Sequence, residues 1–92
     1  MAEEKPRQWY TYMVRCSDGS LYTGSAADSA EARTAVHNAG RGAKYTRSRR
    51  PVKLVWYRAW DTAHDARSME ARIKHWKKED KEALVRAFGK ES

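Results

Sequence analysis

Tyr12 and Tyr22 stand at even spacing on either side of Ser17-Asp18-Gly19-Ser20. If the flanking segments are two strands of one ribbon, even spacing lets both phenols face the same side. Two phenols on one face are candidates for catalysis, although strand tyrosines more often pack with the hydroxyl at the rim. Arg33 and His37 are four residues apart, so on a helix they stack on one face. Such a pair is commonly surface decoration. Glu70 lies one residue past Met69 and three before Ile73, beside an apolar stripe. A carboxylate there could hold a divalent cation or pair with an arginine, or simply pair with Lys74 four residues on. None of these signals is specific alone; their order along the chain raises their weight.

The elements that would position these groups can be read from the chain. Gln8 to Cys16 is aromatic and β-branched and reads as a strand. Asp18-Gly19 is a hairpin signal and predicts a type I′ turn, with φ above zero at both central residues. Leu21-Tyr22-Thr23 resumes the ribbon, and Gly24 is expected to end it. Asp28, with Glu31 three residues on, has the spacing of a capping box. An Ala-rich helix is then expected over Ser29 to Asn38, stopped by Gly40. Residues 40–50 read as a basic loop closed by Pro51, and Val52 to Trp60 as a third strand.

Thr62 with Asp65 caps a second helix whose apolar face is Ala66, Met69, Ile73 and Trp76. A last helix is expected from about Asp80 to Phe88, with Ala83, Leu84 and Ala87 inward and Gly89 as its stop. Lys77 is a poor capping residue for it. The expected fold is α/β of the α+β type: a three-stranded antiparallel sheet flanked by helices, order β-β-α-β-α-α. It forms one domain over residues 8–88, with loose ends at 1–7 and 89–92.

The chain has 92 residues, a net charge of +7 and a mean hydropathy of −0.98. No apolar run approaches the ~20 residues of a membrane span, and no signal segment is evident at the N-terminus. One cysteine, Cys16, excludes an internal disulfide and a Cys-based zinc site, and suits a reducing cytoplasm. It reads as a small strand residue rather than a nucleophile. Residues 32–60 hold eight basic groups and no acid, so the middle third carries the whole excess. A dense cationic block invites a polyanion, because each neutralised phosphate releases counterions. Arg41, Lys44, Arg47, Arg49 and Arg50 are its centre, and Tyr45 among them could stack on a base or sugar.

Taken in order, the residues resemble the GIY-YIG nuclease family, and within it the small stand-alone bacterial proteins. Tyr12-Met13-Val14 stands where the first motif falls and Tyr22-Thr23-Gly24 where the second does. The stretch from His37 through Gly40, Gly42, Lys44, Tyr45, Thr46 and Arg47 to Val55 is similar to the family's loop and third strand. Glu70-Ala-Arg-Ile73-Lys74 resembles its glutamate segment. The likeness spans about residues 8–86. The family's interval from the second-motif glycine to its arginine is usually one residue shorter, and Arg33-x3-His37 sets the register here.

The resemblance implies metal-dependent hydrolysis of DNA phosphodiester bonds. By it, Tyr12 and Tyr22 flank the scissile phosphate, and one of them positions or deprotonates the attacking water. Arg33 neutralises the phosphate. His37 contacts phosphate or assists proton transfer. Glu70 ligates a single Mg²⁺ or Mn²⁺. Lys44, Tyr45, Thr46 and Arg47 line the groove, and Gly24 allows close backbone approach. DNA is then the partner, with no membrane. Specificity is expected from DNA shape, as in repair or recombination, or from a protein partner; the oligomeric state is open. The alternative is a non-catalytic nucleic-acid-binding module on the same fold.

Overall fold

Seven consecutive residues rich in aromatic and β-branched side chains form β1 (Trp9–Arg15), which pairs antiparallel with β2 (Leu21–Ala27). The computed structural model describes residues 7–91. After β2 come α1 (Ala30–Asn38), α2 (Lys44–Arg47), β3 (Lys53–Trp60), α3 (Ala63–Lys74) and α4 (Lys78–Glu91). β3 pairs antiparallel with the other side of β1, so the sheet order is β2-β1-β3 and β2 is an edge. The expected architecture is present, with one addition: residues 44–47 of the basic loop form the single turn α2. No helix among the described residues is long and apolar enough to cross a membrane.

Cross-strand partners share a face. Tyr12 stands opposite Gly24 and Val14 opposite Tyr22, so both tyrosines do occupy one face. That face is closed by Ala30 of α1 and by Val52, around Tyr12, Val14 and Cys16. The opposite face packs Met13 and Trp56 against Ile73 of α3, with Leu84, Val85 and Phe88 of α4 around them. Two polar clamps hold helices to strands. Asn38 donates through Nδ2 to the Val52 carbonyl (2.9 Å) and accepts from the Val52 amide at Oδ1 (2.7 Å). Arg15 meets Glu82 of α4 with two nitrogens, at 2.9 and 2.6 Å.

Several local expectations are corrected. The hairpin is not type I′: Gly19 has φ +86, but Asp18 is not left-handed. The Gly19 amide bonds the Cys16 carbonyl and the Cys16 amide bonds the Ser20 carbonyl, so one glycine suffices. Gly24 does not end β2, which continues to Ala27. The N-cap of α1 is Ser29, whose hydroxyl accepts from the Ala32 amide, while Asp28 takes a left-handed φ of 69° in the turn before it.

Helix α1 ends as expected at Gly40 (φ +80): the Gly40 amide bonds the His37 carbonyl and the Arg41 amide the Val36 carbonyl. Thr62 caps α3 through the Asp65 amide as expected, but Trp76 lies past the helix and is exposed. α4 begins two residues early and runs through Gly89 to Glu91, so residues 89–91 are helical rather than loose. Its inward residues are Leu84, Val85 and Phe88; Ala83 and Ala87 are exposed. Of the other expected loose end, residues 1–6 lie outside the described residues, as does Ser92. Arg7 is tied down, by Asp28 (3.3 Å) and over the Trp9 ring (4.8 Å).

Candidate active site

The site is built on the Tyr12 face of the sheet, and His37 is its centre. His37 lies in the last turn of α1 and is fully buried. Its Nε2 is 2.6 Å from the Tyr12 hydroxyl and its Nδ1 is 2.8 Å from the Thr46 hydroxyl. Thr46 spends its one hydrogen on the Ala43 carbonyl, 2.9 Å away. With that hydrogen on Ala43, the Thr46 oxygen accepts from His37, an assignment that puts the ring proton on Nδ1. Nε2 is then a lone pair, and the Tyr12 hydroxyl donates to it. Burial, and secondarily the Arg33 charge, hold the His37 pKa below its ordinary value, which keeps the ring neutral.

Tyr12 is itself buried, and burial pushes its phenol up to about 12. Tyr22 and Glu70 push in the same direction, whereas Arg33 opposes them. Besides burial, three groups act on this one phenol: Tyr22, Arg33 and Glu70 are all within electrostatic reach of Tyr12. Tyr22 completes the cluster with its ring 5.4 Å from His37, edge to face. Arg33, four residues before His37 on α1, has its charge within electrostatic reach of both Tyr12 and His37.

Two glycines make room for this arrangement. A Cβ on Gly24 would meet the Tyr12 hydroxyl at 2.6 Å and its Cζ at 2.8 Å. The space beside Gly24 is thus filled by the Tyr12 ring, and the residue is buried rather than offered to a nucleic acid. A Cβ on Gly42 would run into the His37 ring, with Cγ at 2.7 Å. Gly42 lies against the site's central ring, a role that reading the loop for its cations passes over; its place in the family-like loop stretch is the signal that could have found it.

Glu70 comes from α3, which packs on the other face. Because β2 is an edge strand, side chains of α3 can pass round it. The Glu70 carboxylate is 2.7 Å from Lys74 Nζ, which lies 5.9 Å from the Tyr22 ring centroid. Glu70 is thus paired with Lys74, as the plainest reading of the sequence allowed.

The basic segment divides. Arg41, Lys44 and Arg47 are exposed, as is Tyr45, which stacks on Tyr22 at 5.9 Å. Arg49 and Arg50 are engaged within the fold. Arg49 covers the Tyr45 ring at 3.9 Å, donates to the Tyr45 carbonyl and pairs with Asp18 at 3.1 Å. Arg50 donates to the carbonyls of Arg47 and Asn38. Thr46 is fully buried, so it orients His37 instead of lining a groove. A cleft of about 340 Å³ opens between the end of β2 and α1, with Arg33 in its wall.

Among the described residues no three His, Cys, Asp or Glu side chains gather as a metal cage. The donor set is one carboxylate that already attracts a cation, the Lys74 ammonium. It fits a hard oxygen-seeking ion that keeps most of its water and takes further oxygens from a phosphate.

The GIY-YIG catalytic domain matches residues 8–83. The chain belongs to the GIY-YIG family. Members of this family are in general nucleases. Among curated proteins, this GIY-YIG chain is 52% identical over 76 residues to a UPF0213 protein of Haloquadratum walsbyi, covering 83% of the chain and 84% of the relative. It is 47% identical over 77 residues to a UPF0213 protein of Staphylococcus aureus, covering 84% and 93%. The solution NMR structure of a UPF0213 protein from Bacillus halodurans matches with a TM-score of 0.56 at 39% identity, over 87% of this chain and 84% of that one.

Proposed function

We propose that this GIY-YIG protein is a metal-dependent DNA endonuclease that hydrolyses phosphodiester bonds. The observation that carries the reading is the Tyr12–His37–Thr46 chain of hydrogen bonds beside Arg33 and Glu70. A phenol raised to about 12 is scarcely ionised at neutral pH. It can still take a proton from water if it passes its own to His37 in the same step. Nε2 is the acceptor for that proton, and the resulting imidazolium keeps its Nδ1–H on Thr46. Such relayed general-base catalysis contributes typically 10²–10⁴-fold.

Arg33, whose charge reaches the Tyr12 phenol, would supply positive charge to a phosphate facing Tyr12 as its oxygens become more negative. Tyr22 borders the same space and orients water or phosphate. Glu70 would hold the Mg²⁺ or Mn²⁺, and a bound ion of this kind polarises a phosphoryl oxygen. The cleft along α1 gives the nucleotide next to the reacting phosphate a place to lie. Exposed Arg41, Lys44, Tyr45 and Arg47 extend the surface along the DNA. Cations and a stacking ring read backbone and exposed bases rather than a base-pair sequence. We therefore assign a structure-directed activity, of the kind used in DNA repair or recombination, with a protein partner as the second source of specificity.

The test is a cleavage panel on branched, single-stranded and duplex DNA, with Mg²⁺, Mn²⁺ or EDTA. Metal-dependent nicking of at least one substrate is expected. Salt-sensitive binding with no cleavage of any substrate would replace the proposal by a nucleic-acid-binding module.

A further inference from the structure

We propose that Lys74 is a built-in counter-ion of Glu70 that a divalent cation must displace, so that the site accepts DNA before it is loaded with metal. The inference rests on the assignment of Glu70 as the metal-holding carboxylate. An exposed Glu–Lys pair four residues apart on a helix contributes little and either partner is readily freed. This pair differs in its setting. The Glu70 side chain is only 20% exposed and its charge reaches the Tyr12 phenol, whereas Lys74, 2.7 Å away, is 47% exposed.

A carboxylate left bare beside that phenol would repel an incoming phosphate. The ammonium cancels this repulsion and occupies the position a metal ion would take. While paired with Glu70, its Nζ also lies 5.9 Å from the Tyr22 ring, within range of a cation–π contact that remains to hold it once Glu70 is taken by the metal. The charge therefore stays at the site after the exchange.

Two effects of opposite sign follow from removing the ammonium: tighter metal binding and weaker metal-free DNA binding. The test titrates Mn²⁺ alone into the full chain, following the free-ion electron paramagnetic resonance signal. Wild type is compared with Lys74→Met, Lys74→Gln and Glu70→Gln. Loss of the competing ion pair is expected to tighten Mn²⁺ binding about fivefold in both Lys74 variants, and Glu70→Gln to abolish it. In EDTA, Lys74→Met is expected to bind a branched DNA more weakly than Lys90→Met, which removes the same charge from α4.

Lys74 is half exposed, and thermal melts followed by circular dichroism check that each variant is folded. Unchanged Mn²⁺ affinity in both Lys74 variants, with Glu70→Gln losing binding, overturns the counter-ion proposal alone. Mn²⁺ binding that survives Glu70→Gln overturns the metal assignment beneath it. No Mn²⁺ binding by wild type or by the Lys74 variants overturns the proposal as well.

Discussion

The Tyr12 hydroxyl lies 2.6 Å from Nε2 of His37, and with the Thr46 hydroxyl donating to the Ala43 carbonyl, Tyr12 is assigned as the donor. Replacing Tyr12 by Phe removes that donor and leaves a buried imidazole nitrogen without a partner. A loss of about 1–3 kcal/mol of stability is expected. Single-turnover cleavage should fall roughly 10²–10⁴-fold if Tyr12 relays the water's proton. Denaturant titration and rapid-quench cleavage measure the two effects separately. Stability lost with cleavage retained would leave Tyr12 a core residue only.

The direction of the relay is open to direct observation. Nitrogen-15 spectra of His37 should show the proton on Nδ1 in wild type. Thr46→Val takes away the acceptor for that proton, so the tautomer preference is expected to collapse and stability to drop by roughly 1–3 kcal/mol. A wild-type ring protonated on Nε2 would reverse the donor and acceptor at Tyr12.

Gly42→Ala and Gly24→Ala test the close packing around the same two rings. Each added methyl meets a buried ring with no free space to move into. Losses of about 1–3 kcal/mol are expected from overpacking, with Gly42→Ala also shifting the His37 resonances. Gly89→Ala is the contrast: nothing lies within 4 Å of its Cβ position, and helix propensity favours alanine. Destabilisation by Gly89→Ala together with tolerance at Gly42 would contradict the packing described.

Stability should follow a dome with pH. His37 is held below its ordinary 6.5 in the folded chain, mainly by burial. The unfolded chain therefore takes up this proton first, and stability falls as pH drops below about 6.5 until the folded-state pKa is passed. Tyr12 is raised from 10.0 to about 12, so the unfolded chain loses that proton first, and stability falls again as pH rises from 10 towards 12. Denaturation midpoints from pH 5 to 7.5 check the acid limb. A flat profile there would mean that His37 titrates alike in both states.

Much of this was legible in the chain because it rests on local chemistry. The aromatic and β-branched runs marked β1 and β3, Thr62 with Asp65 marked the start of α3, and Gly40 marked the end of α1. Even spacing across the hairpin put Tyr12 and Tyr22 on one face. What the sequence hid depends on contacts between distant segments. Gly24 looked like a strand stop because glycine weakens strands, yet its missing side chain is the space for a ring twelve residues away. His37 was expected in the site by resemblance but not as a buried centre, and Thr46 was expected to line a groove, because nothing local says that α2 folds back over α1. Arg49 and Arg50 added to a charge count but are engaged by Asp18 and by backbone carbonyls. In α4 the inward residues lie one position on from the expected Ala83, Leu84 and Ala87, since alanines fit either face and only packing against the Met13, Trp56 and Ile73 cluster decides between them.

The central claim, that Glu70 serves the chemistry while the basic surface serves binding, is tested most directly by one comparison. Cleavage of a branched DNA by wild type and Glu70→Ala is followed with Mn²⁺ under single-turnover conditions, with DNA affinity measured on the same samples. The account predicts that the variant binds DNA at near wild-type affinity and does not cleave it. Full cleavage by Glu70→Ala would contradict it.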